Sequence, residues 1–189
     1  MFGAKVEFTV LNIEEIACTF PQGSPLADTL ALWQTWADDK PAPTWADVEL
    51  YNMPPIVLPQ TLVVDVIDQG ADFRYRFWGT DYTAHYGIDE TGLLLSNSIG
   101  PSFVEATRNQ LQAVLDRQAP CAFDVAIRAP RTGVVQTKIN LRLPIMDTPR
   151  EVTKILTATL FNETTLSHRN RLVEAFSDDI KRKEKSPVD

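Results

Sequence analysis

The stretch DFRYRFWGTDYTAHYGIDETGLLLSN, from Asp72 to Asn97, passes from a strand period to a helix period and into a turn. Phe73, Tyr75 and Phe77 alternate with Arg74, Arg76 and Trp78, the two-residue repeat of a pleated strand. Gly79 is expected to end that strand by adopting the φ of a tight turn, which costs glycine little. Thr80 or Asp81 can cap a short helix, because a side-chain oxygen accepts the free N–H groups of a first turn. The helix would carry Tyr82, His85 and Tyr86 and stop at Gly87. Asp89-Glu90-Thr91-Gly92 reads as a further turn before the apolar run Leu93–Leu95.

Outward from this stretch, the chain alternates in the same two periods. Thr61–Ile67 is an apolar strand, and the turn Asp68-Gln69-Gly70-Ala71 joins it to the Asp72 strand as a hairpin. Upstream, Ser24-Pro25 is a helix start, with Leu26, Leu30, Trp33 and Ala37 at helical spacing behind it. Between them Asp38–Pro59 holds Pro41, Pro43, Pro54, Pro55 and Pro59, which remove backbone donors and make an irregular connector. Downstream, Val104–Gln118 is helical, and Cys121–Arg128, Val135–Leu143 and Thr153–Phe161 read as three strands. Both parity sets of the last are apolar or threonine, so its outer face needs a cover. The Leu26 helix, a C-terminal helix or a second subunit could supply one. Lys5–Ile13 is either an extra strand or an arm that pairs with a second protomer. Leu166, Val173, Phe176 and Ile180 mark a C-terminal helix within Thr164–Lys185.

Strand, strand, short helices, longer helix and three strands describe one antiparallel sheet with helices inserted between its second and third strands, an α+β class. The residues Phe73, Arg74, Tyr75, Arg76, Phe77, Gly79, Thr80, Tyr86, Gly87, Asp89, Thr91 and Gly92 resemble the central motif of a bacterial PAS subfamily that often occurs as a nearly stand-alone domain. The resemblance runs from about Leu26 to Phe161. It implies a five-stranded sheet cupping a pocket against its helices. The expected organisation is an N-terminal arm over 1–23, a PAS-like domain over 24–163, and a C-terminal helix and tail over 164–189.

Composition narrows the function classes. Of the 189 residues, 44% are hydrophobic and 23% charged, the balance of an ordinary globular chain. A formal net charge of −7 argues against nucleic acid as the main partner and against a polybasic membrane anchor. No apolar run is long enough for a transmembrane helix, and the N-terminus lacks the pattern of a secretory signal, so a cytoplasmic location is expected. Cys18 and Cys121 match no disulfide framework and no metal-ligand spacing.

Motifs for catalysis are sparse. The chain contains no nucleophile elbow and no glycine-rich phosphate loop. His85 stands four residues from both Asp81 and Asp89, but Gly87 should break the helix between them, so no metal site is expected. Flavin-binding PAS relatives use a cysteine in the region corresponding to Tyr82–Ile88, and haem-binding relatives use a histidine on the longer helix. Both residues are missing here, so the resemblance disfavours flavin and haem, and no cofactor is expected.

What remains is aromatic density. Trp78, Tyr82, His85 and Tyr86 cluster where a PAS pocket would open, and such side chains can line an apolar cavity with polar handles. The leading expectation is a cytoplasmic sensory module. It would bind a small molecule or a protein partner, form a homodimer, and signal in trans. Two alternatives stand beside it. One is a small isomerase- or dehydratase-like enzyme on a cone-shaped α+β fold, with Tyr82, His85 and Asp65 as its actors. The other is a purely structural dimerisation module with a filled core.

Overall fold

The computed structural model describes residues 9–98, 100–128, 134–148 and 150–162. The elements, in chain order, are β1 (Thr9–Ile16), α1 (Pro25–Ala37), β2 (Thr61–Ile67), β3 (Asp72–Trp78), α2 (Thr80–Tyr86), α3 (Pro101–Arg117), β4 (Cys121–Arg128), β5 (Val135–Ile145) and β6 (Lys154–Phe161). The strands form one antiparallel sheet in the order β1-β4-β5-β6-β2-β3. The class is the expected α+β, with α2 and α3 inserted after the β2–β3 hairpin.

The sheet has six strands among the described residues, where five were expected. The addition is β1, which pairs along β4 from Thr9↔Arg128 to Ile16↔Ala122. Its pairing partner lies in the same chain. Arg117 at the end of α3 clasps Glu15 of β1 with two guanidinium nitrogens, fastening the edge strand to the helix. The predicted C-terminal helix lies outside the described residues.

Both faces of the sheet centre are covered. Pleating sends alternate side chains to opposite faces. On β5 and β6 one set comprises Leu141, Leu143, Leu156 and Ala158, each 0% exposed. Helix α1 packs on these two strands, and Trp33 Nε1 donates to the carbonyl of Pro144 at 2.9 Å. The cover that Thr153–Phe161 requires is therefore supplied, at least in part, by the Leu26 helix within the chain. Ser24 caps α1 as expected, its hydroxyl accepting from Ala27 N–H at 3.3 Å.

The proline-rich connector is anchored rather than loose. Val57 and Met53 are buried, and Val57 O accepts from the Thr61 hydroxyl at 2.9 Å. At its other end Asp147 Oδ1 accepts from Trp45 N–H at 2.8 Å. Asp147 Oδ2 accepts from the Thr153 hydroxyl at 2.8 Å and from Lys154 Nζ at 2.6 Å. Burial pushes the Asp147 carboxyl upward, but these donors outweigh it and hold it at about 2.

The β3–α2 junction is built differently from the expectation. Gly79 has φ −64°, an ordinary value, and it serves as the N-cap of α2 in place of Thr80 or Asp81. Glycine is needed for space. A Cβ there would sit 2.2 Å from Pro59 O and 2.8 Å from Thr61 O, and both are backbone atoms that cannot swing away. The strand end is pressed against the connector, with Gly79 N–H donating to Thr61 O at 2.9 Å. Gly87 is the conformational glycine: it caps α2 at φ 76°, with open space where a side chain would go.

The two glycines should therefore fail differently. Gly79→Ala is expected to cost about 3 kcal/mol, the upper range for forcing atoms into a packed site. Gly87→Ala should cost about 1 kcal/mol, the strain of a left-handed alanine. Urea melts of the two variants check this, and equal losses would contradict the steric account of Gly79.

Candidate functional site

The face of the sheet opposite α1 is covered by α3, and it is unusually polar. Lys138, Asn140 and Arg142 alternate along β5, and their neighbours on β6 are Phe161, Thr159 and Thr157. All six are buried, Lys138 with 6% and Arg142 with 4% exposure. Polar groups this deep are costly unless each finds a partner, and most of these do.

One directed chain of hydrogen bonds crosses the interior. The Tyr82 hydroxyl meets Thr159 Oγ1, which donates to Asn140 Oδ1 at 3.0 Å. Asn140 Nδ2 donates to Gln110 Oε1 at 3.1 Å. The same oxygen accepts from Arg142 Nε at 3.1 Å and Nη2 at 3.0 Å, and Arg142 Nη1 donates to Thr157 Oγ1 at 2.9 Å. Gln110 belongs to α3 and Tyr82 to α2, so the chain joins both helices to β5 and β6.

Lys138 is held otherwise. Its ammonium donates to Tyr86 Oη at 2.9 Å and lies 5.3–5.8 Å from the ring centroids of Tyr82, Tyr86, Phe103 and Phe161. Aromatic faces attract a cation, by up to about 2 kcal/mol when desolvated. Neither Lys138 nor Arg142 forms an ion pair with a described residue. Burial and the nearby Arg142 charge lower the Lys138 ammonium to about 7. Burial likewise lowers Arg142 to about 10. Burial raises the Tyr82 hydroxyl to about 12, against the opposing effects of Thr159 and Arg142.

Trp78, Tyr82, His85 and Tyr86, the candidate pocket residues, do come together. Trp78 lies 5.3 Å from Tyr82 and 6.3 Å from Tyr86, centroid to centroid, and Tyr82 stacks on Tyr86 at 5.8 Å. His85 stacks on Phe161 at 4.7 Å. Trp78 Nε1 is buried without a hydrogen-bond partner among the described residues. The space these rings leave is small. A cavity of about 20 Å³ lies between α3 and β5, lined on its polar side by Tyr82, Thr107, Gln110, Lys138, Asn140 and Arg142. That is room for about one water molecule. Of the four aromatic candidates, Tyr82 lines it.

The residues of the enzyme alternative do not converge. Asp65 accepts from Arg76 Nε at 2.7 Å in an exposed ion pair, and neither Asp65 nor His85 borders the cavity. Among the described residues no cluster of three His, Cys, Asp or Glu side chains could hold a metal, and no helix is long and apolar enough to cross a membrane.

Sequence reasoning passed over Lys138, Asn140, Arg142 and Gln110. The two-residue alternation of Val135–Leu143 through Thr137, Ile139 and Leu141 assigns the charged set to solvent. A signal was present: a strand whose apolar set is already matched to one cover, yet which is followed by another with two apolar faces, lies in the middle of a sheet covered twice.

No family model matches the chain, and no curated protein matches it. Among solved structures it is similar to one described as an RNA-binding Light-Oxygen-Voltage receptor, at 15% sequence identity and a TM-score of 0.38. The alignment covers 96% of this chain and 45% of that one, so the chain spans less than half of that receptor's length.

The Lys138 environment makes stability depend on pH with a definite sign. With its folded value near 7 and its unfolded value near 10.5, the folded state binds fewer protons between those limits. Stability contributed by this residue therefore rises as pH increases from 7 toward 10. The buried tyrosines, all raised above 10, oppose it only beyond that window. Denaturant melts at pH 7 and pH 9 should show wild type gaining on Lys138→Met, and a constant difference would contradict a depressed lysine.

Proposed function

We propose that the chain is a PAS-type sensory or regulatory module that reads its signal in the polar interior between α2, α3 and the sheet. The observation that supports this most is the cationic, aromatic-walled network joining Tyr82, Tyr86 and Gln110 to Lys138, Asn140 and Arg142. A core serving only as a filler gains nothing from two buried cations. Replacing such groups by apolar ones of similar volume is often neutral or stabilising. The element order and the aromatic cluster on α2 fit the family resemblance carried by the Asp72–Asn97 motif.

The geometry also suggests how the module responds. A cavity of about 20 Å³ admits no organic molecule as it stands. A larger ligand, or a partner acting on α2, must favour a state in which α2 or α3 has moved. It can shift the balance only by its extra affinity for that state. Helix α2 is seven residues long and ends at Gly87, so its C-terminal end is the part suited to move while Gly79 stays seated against the connector. Output then passes to a protein partner in trans, with the module acting as a homodimer and without flavin or haem.

Hydrogen exchange tests the reading. If the interior is the switch, Arg142→Met and Gln110→Leu should change exchange in α2 and α3 together while leaving β4 protected. Native mass spectrometry of the freshly purified protein should show a dimer, and its visible spectrum should lack a cofactor band. Exchange in α2 that ignores both substitutions would count against the interior as the sensing site.

A further inference from the structure

The donors around the cavity outnumber its acceptors. Lys138 Nζ has three hydrogens and gives one to Tyr86. Gln110 turns its carbonyl oxygen toward Arg142 and Asn140, which leaves both amide hydrogens without an acceptor among the described residues. The orientation is fixed by chemistry, because a guanidinium can only donate. Thr107, 8% exposed and one turn before Gln110 on α3, has no hydrogen bond to a described residue either. No carboxylate among the described residues lines the space. Glu90, the buried carboxyl near Tyr75 and Tyr86, accepts from the Ser98 hydroxyl at 2.5 Å and does not border the cavity.

We propose that the cavity between α3 and β5 is a binding site for one halide-sized anion, with Lys138, Gln110 and Thr107 as its donors. Charge and size argue together. Arg142, and Lys138 when protonated, are buried cations without an ionic partner among the described residues, and an anion neutralises that charge where it costs most. The cavity volume of about 20 Å³ admits a particle about the size of water. Chloride and bromide are slightly larger spheres than water and need only small outward shifts of the lining side chains, whereas acetate and larger carboxylates need a side chain displaced. A neutral water would accept from these donors but leave the charge in place. The proposal rests on the sensory reading only for the importance of this interior, and it names the class of ligand held there. By bridging Lys138 of β5 to α3, the anion would strengthen the packing that Tyr86 extends to α2.

The test is chloride-35 NMR line broadening on the full chain, together with thermal melts in sodium chloride, bromide and gluconate at matched ionic strength. Wild type should broaden the chloride line, bromide should compete for that broadening, and its melting temperature should rise saturably with either halide but not with gluconate. Lys138→Met should abolish both effects. Thr107→Val, which keeps the shape and removes one donor, should weaken the apparent affinity several-fold and covers the case in which the lysine variant fails to fold. Broadening that survives in Lys138→Met or is untouched in Thr107→Val overturns the proposal. So does a melting response shared by gluconate, or one seen equally with acetate. These outcomes are independent of the exchange experiment on α2. An empty or water-filled cavity would leave the sensory reading standing, and a silent α2 would leave the anion site standing.

Discussion

Gln110 Oε1 holds the inner half of the molecule in register. It is the shared acceptor for two nitrogens of Arg142 and one of Asn140, and it is supplied by α3, which has no other described side-chain hydrogen bond to β5. A buried guanidinium normally demands a carboxylate. Here a neutral carboxamide and the Thr157 hydroxyl give each of the three guanidinium nitrogens an acceptor, with no carboxylate among the described residues pairing the charge. The position of α3, the spacing between helix and sheet, and the cavity they enclose all follow from that arrangement.

The second helix depends on the same strands. Tyr82 and Tyr86 lie one turn apart on α2, and each places its hydroxyl on a polar group of the sheet, Thr159 and Lys138 respectively. Neither bond would form if β3 ended a residue later or stood farther from the connector. The contact of Gly79 with the backbone of Pro59 and Thr61 fixes where the strand stops and the helix begins. A proline-rich segment with little regular structure thereby sets the geometry of the interior, and Asp147 and Trp33 hold that segment and α1 against the other face.

In the proposed sensory role the responding element must be stable but not overdetermined, and the chemistry of this interior suits that role. Its hydrogen bonds are individually worth about 1 kcal/mol, somewhat more where a charge takes part, and its buried cations raise the energy of the resting state. Apolar groups of the same volume in these positions are often neutral or stabilising, so the polar set is not required for stability alone.

The sequence by itself determined the order of the elements from Ser24 to Phe161. Ser24-Pro25, Gly87, the alternation of Cys121–Arg128 and the apolar run Thr61–Ile67 are local signals, and local physics is enough to place a cap, a stop or a pleat. It also brought Trp78, Tyr82, His85 and Tyr86 together, because they share one strand end and the following helix. Only the tertiary structure decided what faces what. The family resemblance supplied five strands, and the sixth exists because β4 offers an edge to Thr9–Ile16, a fact of pairing that periodicity cannot carry. Gly79 was legible as necessary, but for the wrong reason, since the chain that crowds it lies about twenty residues away in sequence. Alternation assigns the charged set of β5 to water, although the two apolar faces of the following strand pointed to a sheet covered twice. The assignment to water fails when a second helix covers the same face, and nothing in the strand itself announces the helix.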